Sequence, residues 1–241
     1  MYSCGGSRFQ LQVIFWSIFW YQKESVSDLV LYMKRKDIIS KAEAHVRELY
    51  EAHSSDSFVY HNLEHIEKVV EAADQISKYY KLSKPETQAV HIAAWFHDVG
   101  YLSFHSNGHE ARSAEMATTF LQQENADLDL IEKVREAILA TEIFSPPVSL
   151  IGKIVADADL YNLGTSDFRK TNKKMWVEVK RCYGKKIPAR EWYESALKLL
   201  EKHQYHTEYC QKLLKKGKQE NINFLRDWLE KNDVEIQDDE T

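Results

Sequence analysis

Only 8 glycines and 4 prolines interrupt this chain of 241 residues. β architectures need both residues at short intervals for their turns, so this scarcity directs the chain toward helices. Hydrophobic spacing agrees. Ile38, Ala42, Val46, Leu49 and Tyr50 recur at helical intervals within residues 37–53. Asn62 suits the N-cap of a helix running to about Tyr80, and Ser83 with Glu86 has capping-box spacing for a helix over 85–97. A further helix begins at His109 and runs to about Gln123. Asp127 caps another from Leu128 to about Thr141, and Pro146-Pro147 closes that region. Helical patterns follow over 167–182, 189–202, 208–215 and 221–231, with Pro188 in the first turn of the second and Gly217 separating the last two. Repeats, low-complexity tracts and hairpin signals are absent, and the expected fold class is all-α.

The 85–97 helix is apolar on all sides near its end (Ala93-Ala94-Trp95-Phe96) and stops at His97-Asp98, with Gly100 just beyond. Adjacent side chains diverge by about 100° in a continuous helix. His97 and Asp98 therefore serve one centre only if the helix ends there, and Gly100 suits that break. Burial of the helix places the pair at the edge of a core. His65 is expected in the first turn of the preceding helix. Asp157 and Asp159 stand among apolar residues (Val148 to Leu163), and a carboxylate drawn inward needs a partner. His65, His97, Asp98 and Asp159 together form a mixed nitrogen and oxygen set suited to Mn, Fe, Zn, Co or Mg. A phosphate at such a centre calls for added positive charge, for which Arg112, Lys173, Lys174 and Arg181 are the candidates.

Three cysteines (Cys4, Cys182 and Cys210) form no CxxC pair and no disulfide framework, which fits a reducing, cytoplasmic setting. A formal charge of -5 supplies no global basic field, so no nucleic-acid partner is expected. Residues 9–21 form an aromatic-rich run of thirteen, short of the roughly 20 a membrane span needs. Residues 1–32 read as a poorly defined extension, with a membrane-surface or partner-binding role as the alternative. Met33 reads as the natural start of the globular part. The expected organisation is a single domain over 33–232 and an acidic tail over 233–241.

The segments YHNLEHI (60–66), AAWFHDVGY (93–101), HEARSA (109–114), ILAT (138–141) and DADLYNLG (157–164) resemble the HD superfamily of metal-dependent phosphohydrolases, and in particular a predicted-hydrolase branch of it. The resemblance reaches nearly everything after Met33, weakly beyond residue 164. It implies an HD-domain helical bundle, with its core at about 58–164 and a C-terminal helical extension over 165–232. It implies His65, His97, Asp98 and Asp159 as metal ligands, with Asp157 as the alternative to Asp159. The acidic residue that some members carry after the His-Asp pair is replaced by Val99-Gly100-Tyr101-Leu102. The later histidine of binuclear members is replaced by Thr141-Glu142-Ile143-Phe144, which favours one divalent ion over two. His109 stands where the branch usually has asparagine. The implied function is hydrolysis of a phosphomonoester or phosphoanhydride, a nucleotide in the first instance, by metal-activated water. Arg112 would neutralise phosphate charge, and His109 or Glu110 would handle a proton. A solvated helix-start histidine and a helix-start carboxylate are the plain alternatives for those two. His61 is expected to act structurally or behind the ligands. Two other functions compete: a non-catalytic nucleotide- or protein-binding regulatory module, and a phosphodiesterase of cyclic nucleotides.

Overall fold

The computed structural model describes residues 38–53, 55–103, 107–184 and 186–232. The expectations for 1–32 and for the acidic tail 233–241 lie outside the described residues. The chain divides into two units, Met1–Lys41 and Ala42–Thr241. Of the first, residues 38–41 are described and are helical. The second is built from α1 (42–52), α2 (Leu63–Tyr80), α3 (Lys84–Phe96), α4 (His109–Gln123), α5 (Leu128–Leu139), α6 (Leu150–Asp159), α7 (Phe168–Tyr183), α8 (Ala189–Lys202) and α9 (Glu208–Lys231). Short 3-10 turns occupy Val99–Ser103 and Tyr161–Gly164. The described residues include no strand.

Side-chain caps set most helix starts. Asn62, Ser83, Asp127, Ser149 and Thr207 each accept from a backbone N–H in the first turn, and Ser83 with Glu86 completes a capping box. Pro188 stands one position before α8, at its N-cap, rather than inside its first turn. The central element is α3, which packs against α2, α4, α5 and α6. Its residues Val90, Ile92, Ala93, Ala94 and Phe96 are fully buried, so the helix has no polar face near its C-terminus and its last turn lies inside the protein. Ile66, Ile76, Leu121, Ile138 and Ile154 complete this core. A second cluster (Leu163, Phe168, Ala196, Leu200, Ile222 and Leu225) joins α7, α8 and α9 to the Tyr161–Gly164 turn.

Two expectations about glycine are corrected. Gly217 does not separate two helices: α9 runs unbroken from Glu208 to Lys231. A Cβ at Gly217 would stand 2.0 Å from the Gly164 carbonyl oxygen, so the residue lets α9 close onto the Tyr161–Gly164 turn. Gly100 has no left-handed backbone. It is needed because a Cβ there would meet the His109 carbonyl oxygen at 2.2 Å, where α4 begins.

His203 caps the C-terminus of α8. It is 6% exposed, and neither ring nitrogen has a hydrogen-bond partner. Burial pushes its pKa down to about 4, with Lys218 and His206 adding to the shift and Asp159 opposing it. The unfolded chain takes up this proton near pH 6.5, whereas the folded chain refuses it until about pH 4. Stability therefore falls as pH drops through that window, by roughly 3 kcal/mol at its lower end. His203→Leu should flatten the pH dependence of urea unfolding between pH 7.5 and 4.5. An unchanged slope would contradict this account.

Candidate metal centre

Four side chains converge at the inner ends of three helices. His65 lies in the first turn of α2, His97 and Asp98 in the turn that ends α3, and Asp159 is the last residue of α6. One ligand atom from each lies within 4.8 Å of all the others. His65 Nε2 is 3.2 Å from Asp98 Oδ2 and 3.3 Å from Asp159 Oδ1. His97 Nε2 is 3.2 Å and 3.5 Å from the same two oxygens, and the two Nε2 atoms are 3.3 Å apart. The His97 ring is set by its other nitrogen, which lies 2.8 Å from the Ala94 carbonyl oxygen. A carbonyl only accepts, so Nδ1 carries a proton and Nε2 is turned to the centre.

These residues fit a divalent cation. Two carboxylates and two imidazole lone pairs face one another in a largely buried site, which requires positive charge between them. The protein alone meets the requirement with protons. Burial opposes the charged form of His97, but Asp98 and Asp159 outweigh it and hold its pKa well above the ordinary histidine value. Burial likewise opposes ionised Asp98, but the His97 charge and hydrogen bonds from His109, His65 and His97 keep its pKa well below the usual carboxylate range. A divalent ion meets the same requirement with neutral imidazoles. Spacings of 3.2–3.5 Å between ligand atoms suit donors that share an ion at about 2.0–2.2 Å from each.

The other candidates fall in separate places. His109 adjoins the cluster: its Nε2 is 3.4 Å from Asp98 Oδ1, the oxygen turned away from His65 and His97, and its Nδ1 is 3.3 Å from Glu110 Oε2. Glu110 thus reaches the cluster through His109. Arg112 braces the 3-10 turn, with Nε donating to the Gly100 carbonyl at 3.2 Å and Nη1 to the Asn107 carbonyl at 2.7 Å. Asp157 turns away from the cluster. It is fully buried and accepts from His206 N, Thr207 N and Thr207 Oγ1 at 2.8, 2.7 and 2.5 Å. Arg181 donates to the Asp56 carbonyl, and Lys173 is exposed.

Glu178 of α7 is a site-positioning residue that sequence reasoning missed. It accepts from the backbone N–H groups of Tyr60 and His61 at 2.6 and 2.9 Å, and it is bonded to the His61 ring. The His61 ring stacks on Tyr101, with centroids 3.8 Å apart, and Tyr101 in turn lies 4.1 Å from the His109 ring. Glu178 thereby fixes the chain just before α2, and with it the approach of His65. A lone acid in the basic run of α7 was the available signal, and 117 residues separate it from His61.

A cleft of about 330 Å³ opens beside His65 and Asp159. Lys68 and Lys174 stand in its wall and share Glu64, at 3.2 and 2.7 Å. Their hydrogen bonds lower the Glu64 pKa to about 2. The sequence placed Lys174 among the candidate cations, whereas Lys68 was not singled out.

The helical fold and this site resemble those of HD-domain proteins. Residues 62–163 match the family model of the HD domain, a span that begins at the α2 cap and ends in the turn after Asp159. Among solved structures, the chain is similar to the crystal structure of a predicted HD superfamily hydrolase from an uncultured Thermotogales bacterium. The two share 22% identity at a TM-score of 0.51, over 81% of this chain and 91% of that one. No curated protein matches the chain. Within the described residues, no helix is long and apolar enough to cross a membrane.

Proposed function

We propose that this protein is a metal-dependent phosphohydrolase acting on a phosphomonoester or phosphoanhydride, with a nucleotide as the first substrate class to test. The supporting observation is the convergence of His65, His97, Asp98 and Asp159, of which His65 and Asp159 line a cleft that carries two lysines. In this reading those four residues hold one divalent ion, and Asp157 is not a ligand. When bound, such an ion would supply Lewis acidity and lower the pKa of a water, two aids to phosphoester hydrolysis at neutral pH. The rest falls to the chain. Lys68 and Lys174 are the cations of the cleft wall for the phosphate, held by Glu64 and, for Lys68, by Asp167 at 3.5 Å. His109, set between Asp98 and Glu110, or Glu110 itself handles a proton of the reaction. Arg112 keeps the Gly100 turn against α4 and adds positive potential behind the site.

The test is a hydrolysis screen over nucleotides and sugar phosphates, supplemented in turn with Mn, Co, Zn, Fe and Mg, beside elemental analysis of the purified protein. Phosphate release that requires a divalent ion and stops on chelation is expected. Tight nucleotide binding without turnover under any metal would instead identify a regulatory module.

A further inference from the structure

The cleft beside His65 and Asp159 carries more carboxylates than lysines along its wall. On α2, Glu64, Lys68, Glu71 and Gln75 follow one another at helical spacing, so they share one face of the helix, and all four line the cleft. Glu71 is exposed and lies six residues past His65, about 9 Å along the helix axis. Asp167, at the N-cap of α7, and Lys174 join them. Both lysines are already engaged. Lys68 Nζ lies 3.2 Å from Glu64 Oε1 and 3.5 Å from Asp167 Oδ2, and Lys174 Nζ lies 2.7 Å from Glu64 Oε2. Glu64, Glu71 and Asp167 thus outnumber the lysines before any substrate arrives. Asp98 and Asp159 in turn balance the two charges of a divalent ion at the four-residue centre. One phosphoryl group can be met by direct contact at that centre and with the lysines. A second anionic group would find carboxylates, and no further lysine or arginine among the described lining residues. Gln75, Thr165 and Ser166 give the wall uncharged polar groups instead.

We propose that the cleft selects phosphomonoesters whose remainder is uncharged and hydroxyl-bearing, and rejects those that carry a second anionic group, with Glu71 as a specificity-determining residue. This inference rests on the phosphohydrolase reading and narrows its substrate class to singly phosphorylated molecules. The selection is electrostatic, because like charges brought together across a binding surface suppress the wrong ligand more than they favour the right one.

Calorimetric titration of the full-length protein, saturated with a divalent ion, with propylphosphonate and with 3-phosphonopropionate tests it without turnover. The two probes are alike in size, and only the second carries a carboxylate. Propylphosphonate should bind at least about tenfold more tightly at low salt. That ratio should shrink between about 0.1 and 1 M salt, where the screening length falls from about 10 to 3 Å, whereas rejection by size would not respond. Glu71→Lys reverses one charge at an exposed position and should lower the ratio by about fivefold or more. Release of the 5′-phosphate from adenosine 5′-monophosphate and from adenosine 3′,5′-bisphosphate is measured beside it, with the monophosphate as the expected better substrate. Equal binding of the two phosphonates, binding of neither, or a ratio that salt and Glu71→Lys both leave unmoved overturns this inference, whatever the hydrolysis assay returns. A retained preference between the phosphonates with no phosphate release from either nucleotide overturns the phosphohydrolase reading instead.

Discussion

Purified protein saturated with a divalent ion should unfold well above the metal-stripped form, and His97→Ala should abolish that difference together with at least about a thousandfold of any hydrolytic activity. The size of the shift follows from linkage. An ion present at about a thousand times its dissociation constant adds roughly 4 kcal/mol, which is about 8–16 °C in Tm for a domain of this length. His97→Ala deletes a fully buried ring and carries a packing penalty of its own. Asp159→Asn therefore belongs beside it: this side chain is 17% exposed, and the exchange removes charge with almost no change in shape. Both variants should lose the metal-induced shift and the bound metal in elemental analysis. Retention of one ion per chain by both would show that the four residues do not form the site. The shift should also depend on pH. His97 binds its proton more tightly in the folded protein than an ordinary histidine, and that proton must leave before Nε2 can serve an ion. Metal stabilisation should accordingly be larger at pH 8 than at pH 6.

The legible part of this protein was local. Helix caps depend on three or four consecutive residues, and Asn62, Ser83 and Asp127 each do what their spacing allows. The end of α3 is of the same kind, because an apolar run that stops at His97-Asp98 admits few arrangements. Contacts between distant segments were not legible. Gly217 looks like a helix break until the Gly164 carbonyl is seen pressed against it. Glu178 looks like one acid in a basic helix until it is found holding Tyr60 and His61. Asp157 and Asp159 sit two residues apart on α6, hence on divergent faces, in similar apolar sequence. Their surroundings in sequence could not decide which faces the histidines, because both carboxylates are drawn inward and each has found a different set of donors.

That difference separates the two aspartates experimentally. Asp157→Ala should cost roughly 3–5 kcal/mol of stability, because it strands three donors, two of them backbone N–H groups, at the entrance to α9. Thr207 is also the N-cap of α9, so the loss reaches the helix that closes the C-terminal cluster. Asp157→Asn keeps one acceptor oxygen but turns its amide NH2 toward a donor, and should fall between the wild type and Asp157→Ala. Burial raises the Asp157 pKa against the pull of its hydrogen bonds. The carboxylate is therefore retained for the donors it engages, despite the desolvation it suffers. Metal content provides the contrast with its neighbour. Asp157→Asn should unfold at lower urea yet keep its ion, whereas Asp159→Asn should lose the ion at small cost to the metal-free protein. Measuring urea midpoints and metal stoichiometry on the same four preparations (wild type, Asp157→Ala, Asp157→Asn and Asp159→Asn) reads both effects. Loss of the ion from Asp157→Asn with an unchanged midpoint would reverse the assignment and make Asp157 the ligand.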